Sequence, residues 1–203
     1  MYPFMINITN KKIVVIGGGK VAAKRIQSML PWQPHITVVS PSLIESLQPL
    51  VKNNSIRHME RNFQSSDVEH AFLVIAATND RNMNQIIKDS CHLNQLVNVV
   101  DDPVSSSFHF PAFYEKDDVM VAVSTNGASP SLSVKLRDEF AAIIDDFAPD
   151  YIAFLKEVRT SIKRSNLPAD EKRQLLQQVL DDRYRTNLQA RNALKEHLFA
   201  TFS

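Results

Sequence analysis

Apolar, strand-like runs alternate with amphipathic helical segments over the first half of the chain. The predicted strands span residues 12–17, 35–40, 55–59, 71–77 and 96–100, and the predicted helices span 20–30, 41–53 and 81–93. The run 71–77 is wholly apolar, which is typical of a strand buried on both faces. Repeated strand–helix units predict a parallel, doubly wound sheet with right-handed crossovers.

The pattern changes after Pro103. Two β-rich runs, 108–114 and 119–124, flank the polar segment 115–118. A short polar connection between two such runs predicts an antiparallel hairpin.

The last third of the chain has the spacing of helices. Ser129 and Pro130 have the residue types of an N-cap and a first helical position. Apolar residues then recur at helical spacing: Leu132, Leu136, Phe140, Ile143, Ile144 and Phe147. We expect helices from residue 131 to residue 203, with a single break near 166–168.

A glycine-rich turn follows the first predicted strand. Residues Gly17, Gly19 and Ala22 fit the pattern G-x-G-x-x-A. In such a turn the first glycine allows the tight bend, the second lets a pyrophosphate approach the backbone, and the small third residue lets the helix pack closely. The helix N-terminus offers N–H groups and a positive dipole end. The pattern predicts dinucleotide binding, and the alternative is a purely structural turn.

These features together predict an α/β protein with a Rossmann-like parallel sheet, followed by a hairpin and helices. Ligands of such sheets lie outside the carboxyl ends of the strands. The residues expected at that crevice are 17–20, 40–41, 78–80 and 101–102.

Two strand ends offer further candidates for cofactor contact. A dinucleotide fold often has an acidic residue after its second strand, whereas this chain has Ser40 followed by Pro41. Both are candidates for the adenosine pocket, and the alternative is an ordinary strand end. Thr78 and Asn79 follow the most apolar strand and are candidates for cofactor contact, with helix capping as the alternative.

The candidate catalytic residue is Asp101. It lies with Asp102 after a buried strand, where a carboxylate could act as a general base once burial or a like-charged neighbour shifts its protonation. The alternative is a turn, because Asp-Pro is a common turn sequence.

The segment 124–130 joins a predicted strand to a predicted helix. It contains the fourth glycine of the chain, Gly127, between Ser124 and Ser129. Hydroxyls and backbone N–H groups could bind an anion here. The alternative is a glycine turn with a serine N-cap.

Composition excludes several classes of protein. A net charge of +1 over 203 residues gives no nucleic-acid signature. A single cysteine, Cys91, excludes an internal disulfide and a cysteine-based zinc site, and fits a reducing compartment. The histidines lack metal-ligand spacing, and no run has the roughly 20 apolar residues of a membrane span. The N-terminus lacks signal-peptide features. We expect a cytoplasmic protein without a metal site, a nucleic-acid partner or a membrane partner.

The motifs, taken in order, resemble those of the precorrin-2 dehydrogenase family, of the type found at the N-terminus of siroheme synthases. The resemblance covers about residues 1–145 and is carried by Tyr2–Ile6, Val15–Ala22, Thr37–Pro41, Ala76–Asp80, Asn98–Asp101, Ser107–Pro111 and Val121–Pro130. The tail matches only in length and character.

The resemblance implies oxidation of precorrin-2 to sirohydrochlorin with NAD⁺, on the path to siroheme. It implies a homodimer whose interface includes residues 108–145, and a tetrapyrrole cleft shared with the helical tail. The expected regions are then a cofactor domain (1–107), a dimerisation region (108–147) and a helical C-terminal domain (148–203).

Residue by residue, the resemblance places the essential acid at Asp101 and the Ser-Pro motif at Ser129. It places cofactor contacts at Lys20, Val21, Ser40 and Pro41. The excess of basic residues in the segment 156–196 would suit a polycarboxylate substrate.

Two other functions stay open at this point. Some members of the family also insert Fe²⁺ into sirohydrochlorin, and Asp101 could serve as the proton acceptor for that reaction. A different class of function is a non-catalytic NAD-sensing module that transmits the state of the cofactor through its helical tail.

Overall fold

Five short strands form a parallel sheet in the computed structural model, which describes residues 1–147 and 149–202, with only the backbone described for 199–202. The strands are β1 (Lys12–Ile16), β2 (His35–Val39), β3 (Arg57–Met59), β4 (Leu73–Ala76) and β5 (Leu96–Val99). Their order is β3-β2-β1-β4-β5, and every pairing is parallel. The predicted α/β, doubly wound sheet is confirmed.

Helices cover both faces of this sheet and make up most of the second half of the chain. The α-helices are α1 (Lys20–Met29), α2 (Gln48–Lys52), α3 (Arg81–Asp89), α4 (Pro130–Asp145), α5 (Tyr151–Arg164), α6 (Ala169–Gln178), α7 (Asp182–Thr186) and α8 (Leu188–Phe202). Short 3-10 helices span Leu30–Trp32, Glu45–Leu47 and Ser65–Val68. The hairpin strands are β6 (Ala112–Lys116) and β7 (Val119–Val123).

The central strands β1 and β4 are largely apolar because both faces of the sheet are covered, whereas the edge strand β3 carries polar residues. Ile13 and Val15 of β1 pack in one core cluster with α1, which contributes Ile26. Val14 and Ile16 of the same strand pack in the opposite cluster, which includes Ile87 of α3. Alternate residues of one strand therefore belong to different cores, and a polar residue at any of these positions would be buried.

The chain forms two compact units, residues 1–110 and residues 111–203. In the second unit, Tyr114 and Lys116 of β6 reach Asp145 at the end of α4, with the Tyr114 hydroxyl 2.6 Å from a carboxylate oxygen. Helices α5 to α8 enclose an aromatic and aliphatic core around Phe154 and Ile162. The expected division into 1–107, 108–147 and 148–203 stays a prediction.

The helix predicted over 41–53 is wrong in its first part. Residues 41–44 are not helical, because the Ser40 hydroxyl donates to the Ser42 carbonyl at 2.7 Å and the Ile44 N–H donates to the Gly18 carbonyl at 3.0 Å. These bonds hold the segment against the glycine turn. Helix α2 begins only after a 3-10 turn, with a proline in its first turn.

The strand predicted over 108–114 is also wrong in its first part. Residues 108–111 are not strand, and Phe108 and Phe110 pack on the α1 side of the sheet instead. The Asn98 side chain donates to the Phe108 carbonyl at 3.1 Å, and the Arg25 guanidinium stacks over the Phe110 ring. The hairpin therefore begins later, and its turn is the pair 117–118 rather than 115–118.

The single helix break predicted near 166–168 is present, but other breaks occur. Among the described residues, helices also end before 150, at 178 and at 186. Asp181 and Asn187 accept hydrogen bonds from backbone N–H groups at new helix starts, at 3.0 and 3.1 Å. Polar capping residues thus divide a region that its apolar spacing alone predicts to be one continuous helix. Ser129 caps α4 with Pro130 in its first turn, as predicted.

Candidate functional site

The glycine turn has the geometry that its pattern predicts. Gly17 has φ +114°, and a Cβ atom there would lie 2.3 Å from the Ala77 carbonyl oxygen, so no other residue fits without displacement. A Cβ on Gly19 would meet nothing within 4 Å, so the backbone is open on that side. Gly18 was not singled out from the sequence, yet a Cβ there would lie 2.2 Å from the Ser42 carbonyl oxygen.

Helix α1 begins directly after this turn. Within the described part of the chain, its N-cap Gly19 provides no side-chain hydrogen bond, and the first turn carries no acidic residue. The first N–H groups of a helix have no intrahelical acceptor, so this end attracts an anion. Lys20 and Val21, two predicted cofactor contacts, are exposed at this helix start.

The second strand ends in a serine whose hydroxyl points inward. Ser40 is 4% exposed, and its hydroxyl donates a hydrogen bond to the Ser42 carbonyl. His58 Nε2 donates to the Ser40 carbonyl at 2.9 Å. What this strand end presents outward is therefore the exposed Pro41, rather than the Ser40 hydroxyl. The assignment of both residues to the adenosine pocket stays a prediction.

A buried amide joins the segment that follows β4 to the segment that follows β5. Asn84 of α3 is 1% exposed. Its Oδ1 accepts from the Thr78 N–H at 3.1 Å and from the Thr78 hydroxyl at 2.7 Å. Its Nδ2 donates to the Thr78 carbonyl at 3.2 Å and to Asp101 Oδ1 at 2.9 Å. We call these residues the Thr78–Asn84–Asp101 cluster.

Asp101 has a second, more exposed partner. Arg81 Nε lies 3.3 Å from Asp101 Oδ2, and the two side chains are 80% and 34% exposed. Such an exposed pair holds its geometry weakly. Asn79 is exposed beside this cluster, and the N-cap of α3 is Asp80, whose side chain accepts from the N–H groups of Asn82 and Met83.

Asp102 forms a turn and has no hydrogen bond to Asp101 among the described contacts. Its Oδ1 accepts from the N–H groups of Val104 and Ser105, each at 3.1 Å. Hydrogen bonds from the side chain and backbone of Ser105 hold the pKa of the Asp102 carboxyl below its usual range. The turn proposed as an alternative for Asp-Pro therefore describes Asp102, while Asp101 is held toward Thr78.

The strand register brings the first-unit candidates to one edge of the sheet. Ile16 of β1 pairs with Val39 of β2 and with Ala76 of β4, and Ala76 pairs with Val99 of β5. The glycine turn and the segments after β2, β4 and β5 consequently follow the carboxyl ends of adjacent strands. This is the edge at which ligands of such sheets bind.

The remaining candidates lie in the second unit, in the loop before α4. The Ser129 hydroxyl accepts from the Leu132 N–H at 3.2 Å, and Ser124 accepts from the Asn126 N–H at 3.2 Å. Thr125 was not predicted to be part of this site. Its hydroxyl accepts from the Ser129 N–H and forms a hydrogen bond with the Ser133 hydroxyl. Gly127 has φ +87° with open space around it. The roles of Ser124, Gly127 and Ser129 in substrate binding stay a prediction.

Other chemistry is sparse in the described residues. They contain no group of three or more His, Cys, Asp or Glu side chains placed to hold a metal ion. Burial raises the pKa of the Cys91 thiol to about 11, which keeps it protonated and unreactive near neutral pH. In this part of the chain no helix is long and apolar enough to cross a membrane.

Three family models match successive parts of the chain. They are described as "Putative NAD(P)-binding" over residues 4–112, "Sirohaem biosynthesis protein central" over 121–143, and "SirC C-terminal domain" over 149–194. The first confirms an NAD(P)-binding fold for the unit that carries the glycine turn.

Individual relatives agree with these matches. The chain is 30% identical to a precorrin-2 dehydrogenase of Priestia megaterium over 93% of each chain. It is 37% identical to a siroheme synthase of Actinobacillus pleuropneumoniae serotype 7 over 70% of this chain, but spans only 29% of that longer protein. The solved structure of "SirC, precorrin-2 dehydrogenase" superposes with a TM-score of 0.83 at 28% identity, covering 98% of this chain and 100% of that one. Sequence, fold and the order of the motifs thus agree, and the chain belongs to the precorrin-2 dehydrogenase family.

Proposed function

We propose that this protein oxidises precorrin-2 to sirohydrochlorin with NAD⁺ as the acceptor, a step in siroheme formation. The observation that carries the proposal is the placement of Asp101. Its carboxylate is fixed by a buried amide at the same sheet edge as the glycine turn and the open N-terminus of α1. A hydride acceptor and a proton acceptor are the two groups that a dehydrogenation requires.

The first unit fits a dinucleotide. Gly17, Gly19, Lys20 and Val21 would hold the pyrophosphate, because the backbone is open at Gly19 and the helix start is uncapped within the described residues. Ser40 and Pro41 would border the adenosine, and Thr78 and Asn79 would contact the cofactor from the end of β4. When bound, NAD⁺ supplies the site at which a hydride is accepted.

We favour NAD⁺ over NADP⁺ because of the residues that follow β2. Discrimination for NADP⁺ commonly uses a basic residue near this strand end to bind the 2′-phosphate. The segment 40–48 contains no lysine or arginine. Nothing in that segment would therefore neutralise the extra phosphate.

Asp101 is the proposed proton acceptor. Oxidation removes two electrons and two protons from precorrin-2, one hydride to the nicotinamide and one proton to a base. Oδ1 of Asp101 is already used by Asn84, and Oδ2 faces the exposed Arg81. Oδ2 is therefore the atom that would take the proton, with Arg81 moving aside.

The second unit is proposed to contribute substrate binding. The loop residues Ser124, Gly127 and Ser129 are our candidates for contacts to substrate carboxylates. The basic surface of the helices is less available than composition suggests, because several cations form ion pairs with acidic residues of the same unit. Those pairs include Lys156–Asp118, Arg185–Asp146, Arg191–Asp150 and Lys195–Glu157.

We also propose a cytoplasmic homodimer. Apolar residues on one side of α4 are unusually accessible in the single chain: Leu132, Phe140 and Ile143 are 45%, 46% and 51% exposed. A helix face of this kind is commonly covered by another subunit. The expected interface of residues 108–145 includes this face, and the single, protonated Cys91 fits a reducing compartment.

The proposal is tested by incubating the purified protein anaerobically with precorrin-2 and either NAD⁺ or NADP⁺. We expect formation of sirohydrochlorin and NADH in equal amounts, with a kcat/KM for NAD⁺ well above that for NADP⁺. Binding of NAD⁺ without any oxidation of precorrin-2 would contradict the proposal and favour a cofactor-sensing module.

A further inference from the structure

We propose that Asn84 is a positioning residue that binds Oδ1 of Asp101 and so directs Oδ2 of its carboxylate toward the substrate. The inference rests on the proposed function of Asp101. It is carried by the geometry of the Thr78–Asn84–Asp101 cluster, in which a nearly inaccessible amide makes every hydrogen bond available to it.

The orientation of the Asn84 amide is determined by its partners. The Thr78 backbone N–H can only donate, and it lies 3.1 Å from Asn84 Oδ1. The Thr78 carbonyl can only accept, and it lies 3.2 Å from Nδ2. A flipped amide would place donor against donor and acceptor against acceptor, so the observed orientation is the only one that satisfies these groups.

This orientation constrains the chemistry of Asp101. The second proton of the Asn84 amide points at Asp101 Oδ1, 2.9 Å away, so Oδ1 must accept. A proton taken up by the carboxyl group then belongs on Oδ2. Asn84 is only 1% exposed, so water cannot replace Asp101 as the acceptor of this N–H. Loss of the contact would leave a buried donor unsatisfied.

The charged groups around Asp101 do not fix the orientation of its carboxylate as Asn84 does. Arg81 is 80% exposed and attached by a long, mobile side chain, so it can release Oδ2 when substrate arrives. The carboxylate of Asp80 is directed to backbone N–H groups of α3, and that of Asp102 to the turn at 104–105. Among the described contacts, Asn84 is thus the buried side-chain partner of Asp101.

Asn84 also ties the proton acceptor to the cofactor side of the site. Thr78 follows β4 and Asp101 follows β5, so one side chain of α3 fixes both strand ends. Errors of about 1 Å in the position of a catalytic group can reduce the rate by roughly a hundredfold. Loss of Asn84 should consequently reduce kcat more than the affinity for either ligand.

The test is Asn84→Asp, which has nearly the same shape but faces Asp101 with an oxygen instead of an N–H. We expect kcat to fall about tenfold to a hundredfold. The KM for NAD⁺ should change less than about threefold, and the acid limb of the kcat pH profile should move to higher pH because the two facing carboxyl groups share a proton. The matched control is Asn82→Asp, on the exposed side of the same helix turn, which should leave kcat and the pH profile unchanged.

Asn84→Ala provides a second variant should the aspartate variant fail to fold, with the same expected loss of kcat at retained NAD⁺ affinity. Wild-type kcat and pH profile in a folded Asn84 variant would overturn the inference. A direct readout separates it from the proposed function. In an NMR spectrum of the protein, Asp101→Ala should shift the side-chain amide signals of Asn84, whether or not precorrin-2 is the substrate. Unchanged amide signals would contradict the contact itself.

Discussion

Asp101 and Asp102 are neighbours in the chain, yet their carboxyl groups have different partners. Asp102 closes a turn through the N–H groups of Val104 and Ser105, whereas Asp101 is bound by the buried Asn84. The acidic pair and its position after a strand could be predicted from sequence. Asn84 could not, because Asn82 and Asn84 are indistinguishable without knowing how α3 is rotated against the sheet.

At the scale of single residues, Asp101→Asn is expected to lower kcat by about 10²–10⁴, the usual contribution of a general base. NAD⁺ affinity should be retained, because the change preserves shape and leaves the glycine turn intact. Steady-state kinetics and NAD⁺ titration measure the two effects. Asp102→Asn is the matched control, and a comparable loss of kcat in it would contradict the assignment of separate roles.

The elements that form the site depend on a few backbone constraints. Strand positions follow from the apolar runs, and the glycine turn from its pattern. The non-helical conformation of segment 41–44 could not be predicted from the pattern, because it depends on long-range hydrogen bonds such as that from the Ile44 N–H to the Gly18 carbonyl. The breaks between α6, α7 and α8 likewise depend on caps that compete with a continuous apolar spacing.

At the scale of the glycine turn, Gly17 and Gly19 should respond differently to alanine. Gly17→Ala is expected to cost about 1–3 kcal/mol, because the residue has a positive φ and its Cβ would collide with the Ala77 carbonyl. Gly19→Ala should fold normally and weaken NAD⁺ binding about tenfold, because the added methyl group occupies the open side of the turn. Denaturant unfolding and NAD⁺ titration distinguish them, and equal destabilisation would refute the assignment.

In the helical unit, Arg191 is a buried charged side chain held by hydrogen bonds. It is 2% exposed and donates to the Tyr184 carbonyl at 2.7 Å and to Asp150 at 2.5 Å. Arg191→Met should lower the free energy of unfolding by about 1–3 kcal/mol, because it leaves the Tyr184 carbonyl without its donor and removes the ion-pair partner of Asp150. The exposed Arg173→Met serves as control, with a change of about 0.5 kcal/mol or less.

The same contact predicts a pH dependence. The hydrogen bond from Arg191 lowers the pKa of the Asp150 carboxyl in the folded state. The stabilisation from this hydrogen bond is therefore complete at pH values above the ordinary aspartate pKa of about 4. It is lost as the pH falls through the lower pKa that Asp150 has in the folded state. The stability difference between wild type and Arg191→Met should consequently narrow at acid pH, and urea unfolding at several pH values measures it. A difference that widens there would contradict this account.

At the scale of the whole molecule, the chain is two compact units whose order along the sequence is that of the family. The class of fold could be predicted because most of the parallel strands are short, largely apolar runs that alternate with helical segments. The apolar spacing of α4 was also visible, but its exposure in the single chain depends on which neighbours cover it. That exposed face is the basis for the proposed dimer.

The proposed dimer predicts that Ile143→Glu, which places a charge on this face, yields a monomer in sedimentation velocity, whereas wild type sediments as a dimer. Burying an unpaired carboxylate in an interface is strongly unfavourable. Leu180→Glu changes a residue of similar exposure away from α4 and should leave the dimer intact. A wild-type monomer, or an Ile143→Glu dimer of unchanged stability, would exclude this interface.

The central claim is that this chain transfers a hydride from precorrin-2 to NAD⁺ with Asp101 as the proton acceptor. The most direct measurement follows the absorbance of sirohydrochlorin and of NADH together, under anaerobic conditions, for wild type and Asp101→Asn. The account predicts that both products form at equal rates with wild type, and that both rates fall at least about a hundredfold with the variant while NAD⁺ still binds. Equal turnover by the two proteins, or none by wild type, would contradict it.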